Sequence, residues 1–318
     1  MYHSGINTVK KSRNKNLKDS LEVLLRIIIG KLSNDSLLSI ISKICSWILE
    51  TNVSEKYIWE LGKIVEHAAY HYETNLLEET FTKDVLHIFM QMIYSSDPLI
   101  NLLGNRIFQH LIDRNKNKTY FESPEIFFQD VKYNVKCNKN HYQRDVEFLR
   151  QHRELIHDTL VESVMKHSSK KLNLESTYCT ICLLVVEIPF GFTAAAVVCL
   201  VMNIQKLALE NLAINREVSY HIHATVMAVL SLICWIHDAK IFYAYVNKIM
   251  MKRAQWAPQL NPPLKTHYIF AVHYIRWNKP ELFFINWEVR FGLWKCFRSI
   301  DKNTNNNNIN VRVNKFSP

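Results

Sequence analysis

Two long apolar segments near the middle of the chain limit what it can fold into. The first, Tyr178–Gln205, reads YCTICLLVVEIPFGFTAAAVVCLVMNIQ, and the second, His221–Ile236, reads HIHATVMAVLSLICWI. A mostly polar bridge, LENLAINREVSY, lies between them. Apolar residues lie nearly all round both segments, and a helix of that kind must be buried in a protein core or in a membrane.

The length of the apolar runs favours a protein core. A membrane-spanning helix needs about 20 apolar residues, whereas runs of roughly 10 to 14 are more often core helices. The longest run without a charge lies between Glu187 and Lys206 and opens with Pro-Phe-Gly, which is poor helix interior. We therefore expect its helix to begin near Thr193 as N-cap, which leaves a segment too short to span a bilayer.

The composition favours helices and an intracellular chain. The 318 residues include only six glycines and eight prolines, whereas sheet proteins use more of both in their tight turns. Hydrophobic residues make up 48%, enough for a sizeable core. The first 16 residues have no apolar leader segment, and the seven cysteines lie mostly in apolar segments. Reduced thiols and a cytoplasmic location are therefore predicted.

The excess positive charge of +10 lies at the two ends of the chain. Residues 1–20 hold five Lys or Arg against Asp19, and residues 265–318 hold nine against three acidic residues. The body between them has as many acidic as basic residues. A nucleic-acid groove would place its excess along the fold, so this distribution does not favour a nucleic-acid partner.

Apolar residues recur at helical spacing in consecutive segments of about 12 to 20 residues, which predicts an all-α fold. Near the N-terminus, Leu21, Leu24, Leu25 and Ile28 form one such stripe. The polar stretch from Arg114 interrupts the series, and a short helix is expected to follow Ser123-Pro124. Five segments are predicted: 1–16, a disordered basic N-terminus; 17–113, an N-terminal helical half; 114–141, an irregular connection; 142–302, a C-terminal helical half with the central apolar pair; and 303–318, a disordered Asn-rich tail.

Consecutive helices with short connections resemble the armadillo- and HEAT-type helical repeats. The resemblance covers residues 17–298 and rests on the pattern of helices, because no consensus residue recurs at a fixed period. It implies stacked antiparallel helices in a superhelix, with an irregular helical bundle as the alternative. It also implies a scaffold that binds another protein and needs no cofactor.

The pair Cys179 and Cys182 forms a C-x-x-C motif, which in other proteins serves as a redox dithiol or half of a zinc site. Redox use expects a partly exposed cysteine at a helix N-terminus, and a zinc site needs a second ligand pair. Here the motif lies inside an apolar helix, and no second C-x-x-C exists. We interpret both as buried thiols, without a metal or redox role.

Other polar residues in unusual places have structural explanations too. Cys137 and His141 lie in the irregular connection, and His152 and His157 follow on the next helix without any standard metal spacing. The side chains of His221 and His223 would point about 200° apart on a helix, so they cannot chelate one ion.

Glu187 interrupts an apolar run and needs a partner, for which His221, Arg216 and a helix N-terminus are the candidates. The chain carries no P-loop, nucleophile elbow, metalloprotease, dinucleotide or kinase signature, so a non-catalytic protein without cofactor or metal is predicted.

The segment near the C-terminus combines aromatic rings with cations and is the candidate interaction surface. Its members are Arg276, Trp277, Lys279, Arg290, Trp294, Lys295 and Arg298. Such a mixture binds single-stranded nucleic acid in some proteins and anionic membrane surfaces in others. Alternatively, the rings complete the last part of the core while the cations face water.

A helical scaffold for protein–protein interaction is the function that these features predict. The first alternative is a peripheral adaptor held at the plasma membrane by its basic ends, and the second is an RNA-binding helical array. Binding to anionic liposomes that weakens with salt would distinguish the first alternative. An electrophoretic shift with random RNA would distinguish the second.

Overall fold

All regular structure in the described part of the chain is helical. The computed structural model describes residues 17–51, 53–137, 143–211, 214–265, 268 and 279–304. The α-helices are α1 (residues 17–29), α2 (Asn34–Glu50), α3 (Glu55–His71), α4 (Leu77–Thr80), α5 (Lys83–Tyr94), α6 (Pro98–Ile112), α7 (Gln143–His167), α8 (Lys171–Glu187), α9 (Gly191–Glu210), α10 (Arg216–Ile236), α11 (Lys240–Trp256) and α12 (Asn286–Thr304). Short 3₁₀ turns cover Lys118–Phe121, Pro258–Leu260 and Pro280–Leu282.

The chain divides into two compact units, Met1–Arg114 and Asn115–Pro318. In the first unit, α2 packs on α3 and α5, and α6 packs on α3 and α5. Gly104 of α6 permits the closest of these approaches, because a Cβ there would lie 2.6 Å from the Cβ of Met92. The pair Asp97-Pro98 predicts an N-cap followed by proline at the first helical position. The Asp97 side chain accepts hydrogen bonds from the backbone N–H groups of Leu99 and Ile100, which fixes the start of α6 there.

Helix α1 differs from the sequence expectation. Leu21, Leu24, Leu25 and Ile28, the stripe expected to face the core, are all exposed, and only Ile29 near the end of the helix is buried. Leu17, Val23 and Ile27 are exposed as well. The stripe was read from periodicity alone, and periodicity does not say whether a neighbouring element covers it.

The second unit is built around α10. This helix packs against α8, α9 and α11, and every residue from Ile222 to Cys234 is buried. Helix α7 packs on α8 and α9, while α12 packs on α11 and α9. Gly292 allows α12 to approach α11, because a Cβ there would lie 3.0 Å from the Phe242 ring. The second apolar segment, His221–Ile236, therefore lies in the core of this unit, as its sequence predicts.

Helix α9 is longer than expected. It begins at Gly191, with Phe190 as N-cap, and not near Thr193. A Cβ at Gly191 would lie 3.3 Å from the Phe297 ring. The glycine therefore allows this ring to pack closely on the first turn of α9 and does not prevent the helix from starting there. Both α9 and α10 are long and apolar enough to cross a membrane by length and composition, but core helices of soluble proteins pass the same test.

Several local boundaries also differ from the sequence expectation. No helix follows Ser123-Pro124 in the described structure, and the nearest regular turn is at Lys118–Phe121, inside the stretch expected to be a polar loop. Ser33 caps α2, whereas the sequence predicts Asn34 as the cap of this helix. Helix α12 continues to Thr304, two residues into the expected tail. The expected disorder of residues 1–16 and of 305–318 concerns segments outside the described residues.

Candidate interaction surface

One face of α12 exposes a row of aromatic side chains. Trp287 is 64% exposed, Phe291 44% and Trp294 49%, and they recur at spacings of four and three residues, so they share one face of the helix. On the other face Val289 and Leu293 are buried against the rest of the second unit. We call Trp287, Phe291 and Trp294, with the cations Arg290 and Lys295, the α12 aromatic face.

The rings and cations of this face contact one another. The ring centroids of Trp287 and Phe291 are 6.3 Å apart, and those of Phe291 and Trp294 are 5.9 Å apart in a stacked arrangement. Lys295 Nζ lies 4.6 Å from the centroid of the Phe291 ring. Arg290 donates from Nε to Asn286 Oδ1 at 2.9 Å. These contacts reduce the rotamer freedom of the side chains while leaving their outer surfaces in solvent.

A second aromatic–cation pair lies where α11 ends. Trp256, the last residue of α11, is about half exposed, and Lys279 Nζ lies 5.0 Å from the centroid of its ring. Lys279 comes directly before the 3₁₀ turn Pro280–Leu282, whose Leu282 is buried. The turn therefore fixes the backbone from which Lys279 reaches the tryptophan.

The structure brings together part of the set predicted from sequence. Arg290, Trp294 and Lys295 lie on the α12 aromatic face, and Lys279 contacts Trp256. Arg276 and Trp277 lie outside the described residues, as does the side chain of Arg298.

Trp287, Phe291 and Trp256 are not members of the set predicted from sequence. The i, i+4 spacing of the first two with Lys295 was a signal that could have found them. Other rings of the segment, Phe283 and Phe284, are buried, so the aromatic residues divide between the core and the surface.

The C-x-x-C motif lies in the core of the second unit. Cys179 and Cys182 are both buried thiols, and Cys179 Sγ contacts the carbonyl oxygen of Lys118 at 3.8 Å. Burial raises the pKa of the Cys182 thiol well above its usual value, which keeps the sulfur protonated and unreactive. The position of the motif on a buried stretch of α8 matches the interpretation from sequence.

Glu187 at the end of α8 is buried, and two asparagines contact its carboxylate. Asn115 donates from Nδ2 to both carboxylate oxygens, at 3.2 and 3.1 Å, and Asn117 donates from Nδ2 to Oε1 at 3.4 Å. Side-chain amides from the polar connection were not among the expected partners, which included His221 and Arg216. His221 instead contacts the carbonyl oxygen of Lys265 at 3.0 Å.

Arg253 is the most unusual side chain in the second unit. It is fully buried, and it donates to the carbonyl oxygens of Leu282 at 2.7 Å, His223 at 3.1 Å and Leu260 at 2.9 Å. Burial lowers the pKa of its guanidinium to about 9. The sequence prediction does not include this residue, although position 253 continues the buried stripe of Val246, Ile249 and Met250.

His223 lies next to this arginine and is completely buried. Its ring packs on Phe283 with centroids 4.8 Å apart, and neither ring nitrogen has a hydrogen-bond partner in the described structure. Burial, and then the Arg253 charge, lower the pKa of His223 well below its usual value, so the ring is neutral. His221 and His223 thus meet different surroundings, as their spacing predicts.

No group of three or more His, Cys, Asp or Glu side chains suited to a metal ion occurs within the described part of the chain. His152 packs on Phe148, and His157 contacts Asn203 Nδ2 at 3.3 Å. The expected loop residue Cys137 is half-buried, and His141 lies outside the described residues.

The comparisons with known proteins identify the family. The family described as EFR3, armadillo repeat, matches residues 8–278, which is most of the chain and includes eleven of the twelve described helices in full, all but α12. Comparison with curated proteins and with solved structures found no match. The all-α architecture and the match agree with the armadillo-type helical repeat expected from the pattern of helices. The chain belongs to the EFR3 armadillo-repeat family.

Proposed function

We propose that this protein is a non-catalytic scaffold that binds a protein partner through the α12 aromatic face. The exposed row of Trp287, Phe291 and Trp294 is the observation that carries the proposal. Tryptophan and arginine are enriched among the residues that dominate binding energy at protein interfaces. Rings exposed in a contiguous row are unusual on a surface that contacts only water.

The chemistry of the face defines the partner. The stacked rings fit an apolar cleft, and the cations Arg290 and Lys295 beside them favour carboxylates at the edge of that cleft. The buried residues Val289 and Leu293 anchor the helix, so the face is presented on a rigid element. The armadillo-repeat match covers residues 8–278 and ends before α12, and such domains generally mediate protein interactions.

Affinity purification with matched variants tests the proposal. The full chain and a Trp287→Ser/Phe291→Ser/Trp294→Ser variant are used to recover partners from cells, and each candidate is then mixed with the purified chain. We expect a partner that binds the unmodified chain directly and loses at least tenfold in affinity for the variant. A Tyr57→Ser/Trp59→Ser variant, which removes two exposed rings from α3, is the control and should bind normally.

Two results would contradict the α12 proposal. One is a direct partner whose affinity is the same for the α12 variant and the unmodified chain. The other is equal loss of affinity in the α12 and α3 variants, which would indicate binding to aromatic residues regardless of their position. Circular dichroism of each variant shows whether the helices are retained.

The N-terminal helix supports a second candidate function, association with the plasma membrane. Helix α1 exposes seven large apolar residues directly after the basic stretch that contains Lys10, Lys11, Arg13 and Lys15. Apolar side chains beside cations are typical of helices that lie in the headgroup region of an anionic membrane. The EFR3 family is generally associated with the plasma membrane.

Liposome sedimentation tests this second candidate. We expect the full chain to sediment with vesicles containing phosphatidylserine at low salt and to be released at high salt, because the basic stretch is screened. Leu21→Ser/Leu24→Ser should weaken binding if α1 inserts, whereas Trp47→Ser on α2 serves as the control for an exposed apolar residue. Binding that is unchanged in the α1 variant would exclude insertion of α1.

A further inference from the structure

The residues of α9 that are not fully buried form one continuous stripe. They include Phe192, Ala195, Ala196 and Cys199 in the first half of the helix, and Asn203, Lys206 and Glu210 in the second half. These positions recur every three or four residues, so they share one face of the helix. The stripe is apolar in its first half and polar in its second, and the described residues cover it only in part.

The apolar half of the stripe lines a cavity of about 450 Å³ between α7, α8 and α9. Ile156 and Leu160 of α7 and Ile181 and Leu184 of α8 contribute to its wall. The small side chains of Ala195 and Ala196 leave the space open, because a longer side chain at either position would occupy it. The charged lining residues, Arg153, Glu154 and Asp158, are exposed, so they lie at the rim.

The polar half lines a second cavity of about 500 Å³, which shares His157 and Cys199 with the first. Lys206 of α9 and Arg290 of α12 both line it. Glu210 is the acidic residue in the same lining, 3.9 Å from Lys206 Nζ. No ion pair of Arg290 occurs among the described residues, so the lining keeps one uncompensated cation.

We propose that a single-chain lipid with an anionic head group binds across these two neighbouring cavities, which meet at His157 and Cys199. The hydrocarbon chain lies on Ala195, Ala196 and Cys199 in the apolar cavity, and the head group reaches Lys206 and Arg290 in the polar one. From Phe192 to Glu210 the stripe is about 27 Å long at 1.5 Å per residue, which suits an extended chain rather than a compact ring system. This site goes beyond the proposed protein-binding function and does not depend on it.

The size of the cavities favours a lipid over a protein helix. Ligand pockets typically measure about 300–1,000 Å³, and each of the two cavities falls within that range. An α-helix with its side chains is about 10–12 Å across and rises about 5.4 Å per turn, so one turn already takes up most of the apolar cavity.

Direct binding of oleate to the purified full chain tests the proposal. Equilibrium dialysis with radiolabelled oleate below its micelle concentration should give saturable binding of one molecule. At about 0.3 kcal/mol for each non-hydrogen atom of oleate, the Kd should be roughly 40 μM or tighter. Lysophosphatidate with the same chain tests a phosphate head, and monoolein tests a neutral one. Both anionic lipids should bind more tightly than monoolein.

Variants locate the site and separate its two halves. Ala196→Leu fills the apolar cavity and should weaken binding of all three lipids at least tenfold. Lys206→Gln should weaken the two anionic lipids about two- to fivefold, because an exposed charge contributes little, and leave monoolein unchanged. Ala254→Leu, the same change at an exposed position of α11, is the matched control and should bind as the unmodified chain does.

Alkylation of Cys199 provides a second measurement at the site, because this thiol lines both cavities. Bound oleate should slow its reaction with N-ethylmaleimide in the unmodified chain. Absence of saturable oleate binding, or equal binding by Ala196→Leu, would overturn the proposal. Protection of Cys199 by a partner protein and not by oleate would assign the groove to a protein segment and would overturn it too.

Discussion

Helices α9 and α10 look alike in sequence but have different surroundings in the structure. Over their most apolar windows, α9 has a mean hydropathy of 1.7 and α10 of 1.5, yet 56% of the α9 window is buried against 83% of the α10 window. The more apolar helix is therefore the less covered one. Hydropathy measures how much apolar surface a helix carries, whereas coverage depends on where the neighbouring elements lie around the helix and how closely their side chains pack.

The neighbours of the two helices explain the difference. Helix α10 packs between α8, α9 and α11, and side chains from α11 and the following turn close its remaining side. Helix α9 packs against α7, α8, α10 and α12, but small residues on its free face leave the groove open. Substitutions of the same chemical kind in both helices can measure this difference.

Arg253→Ala should have the largest effect, because it removes the donor that ties α11 to α10. Three buried carbonyl oxygens would lose their partner, and a cavity would remain, so the free energy of unfolding should fall by about 3–5 kcal/mol. Urea unfolding measures the change. Lys252→Ala, at the neighbouring position, should stay within about 0.5 kcal/mol.

Arg253→Met keeps most of the side-chain volume and separates the two contributions. It should recover the packing part of the loss and leave the carbonyl oxygens unpaired. If Arg253→Ala and Lys252→Ala destabilise the chain equally, the arginine does not hold α10 and α11 together in the way its hydrogen bonds indicate.

The core helix was predictable from sequence, but the polar contacts around it were not. Apolar residues on all sides of α10 predict burial, because no face is suited to water. Arg253 appears in the sequence as one cation in a basic stretch, and its burial depends on backbone carbonyls supplied by three separate segments. Backbone carbonyls are present at every residue, so residue types do not show which of them will bind an arginine. The one clue to the burial of Arg253 in the sequence is that its position continues the spacing of the apolar residues of α11.

Leucine truncation compares the two helices directly. Leu230 of α10 is fully buried, and Leu230→Ala should lower the free energy of unfolding by about 2–5 kcal/mol. Leu209 of α9 is 39% exposed, and Leu209→Ala should lower it by less than about 1 kcal/mol. Equal losses measured by urea unfolding would mean that α9 is covered in solution as fully as α10 is.

Alanine enlargement makes the same comparison in the opposite direction. Ala228 of α10 is fully buried, and Ala228→Leu should destabilise the chain by about 1–3 kcal/mol through overpacking. The leucine side chain of Ala196→Leu can extend into the open groove, so the midpoint temperature of thermal unfolding should change little or rise slightly. Destabilisation of both variants to the same extent would show that the groove is closed in the free protein.

The candidate surface was predictable only in part. The cluster of rings and cations near the C-terminus marked the region, and Arg290, Trp294 and Lys295 do share one face of α12. The sequence did not show which rings would enter the core, because Phe283, Phe284 and Trp287 are close neighbours along the chain and equally apolar. Their division follows from where α12 begins, since Asn286 starts a helix whose phase directs Trp287 outward.

The pH dependence of stability should show the smallest effect, through a thiol in the core of α10. Burial raises the pKa of Cys234 well above its ordinary value of 9.0. Below pH 9 the thiol is protonated in both the folded and the unfolded state, so its contribution to stability is fully present. Above that pH the unfolded thiol ionises while the folded one keeps its proton, and stability falls by up to about 1.4 kcal/mol per pH unit.

Cys234→Ala isolates this contribution by comparison with the unmodified chain. Burial lowers the pKa of Arg253, and a lowered pKa of a cation in the folded state would add a contribution to stability that rises with pH. That opposing contribution is present in both proteins and cancels in their difference. Urea unfolding between about pH 8 and 10.5 should therefore give a shallower decline for Cys234→Ala. Parallel declines would mean that the thiol reaches water. In that case α10 would be less completely buried than the structure indicates, and the contrast with α9 would be smaller.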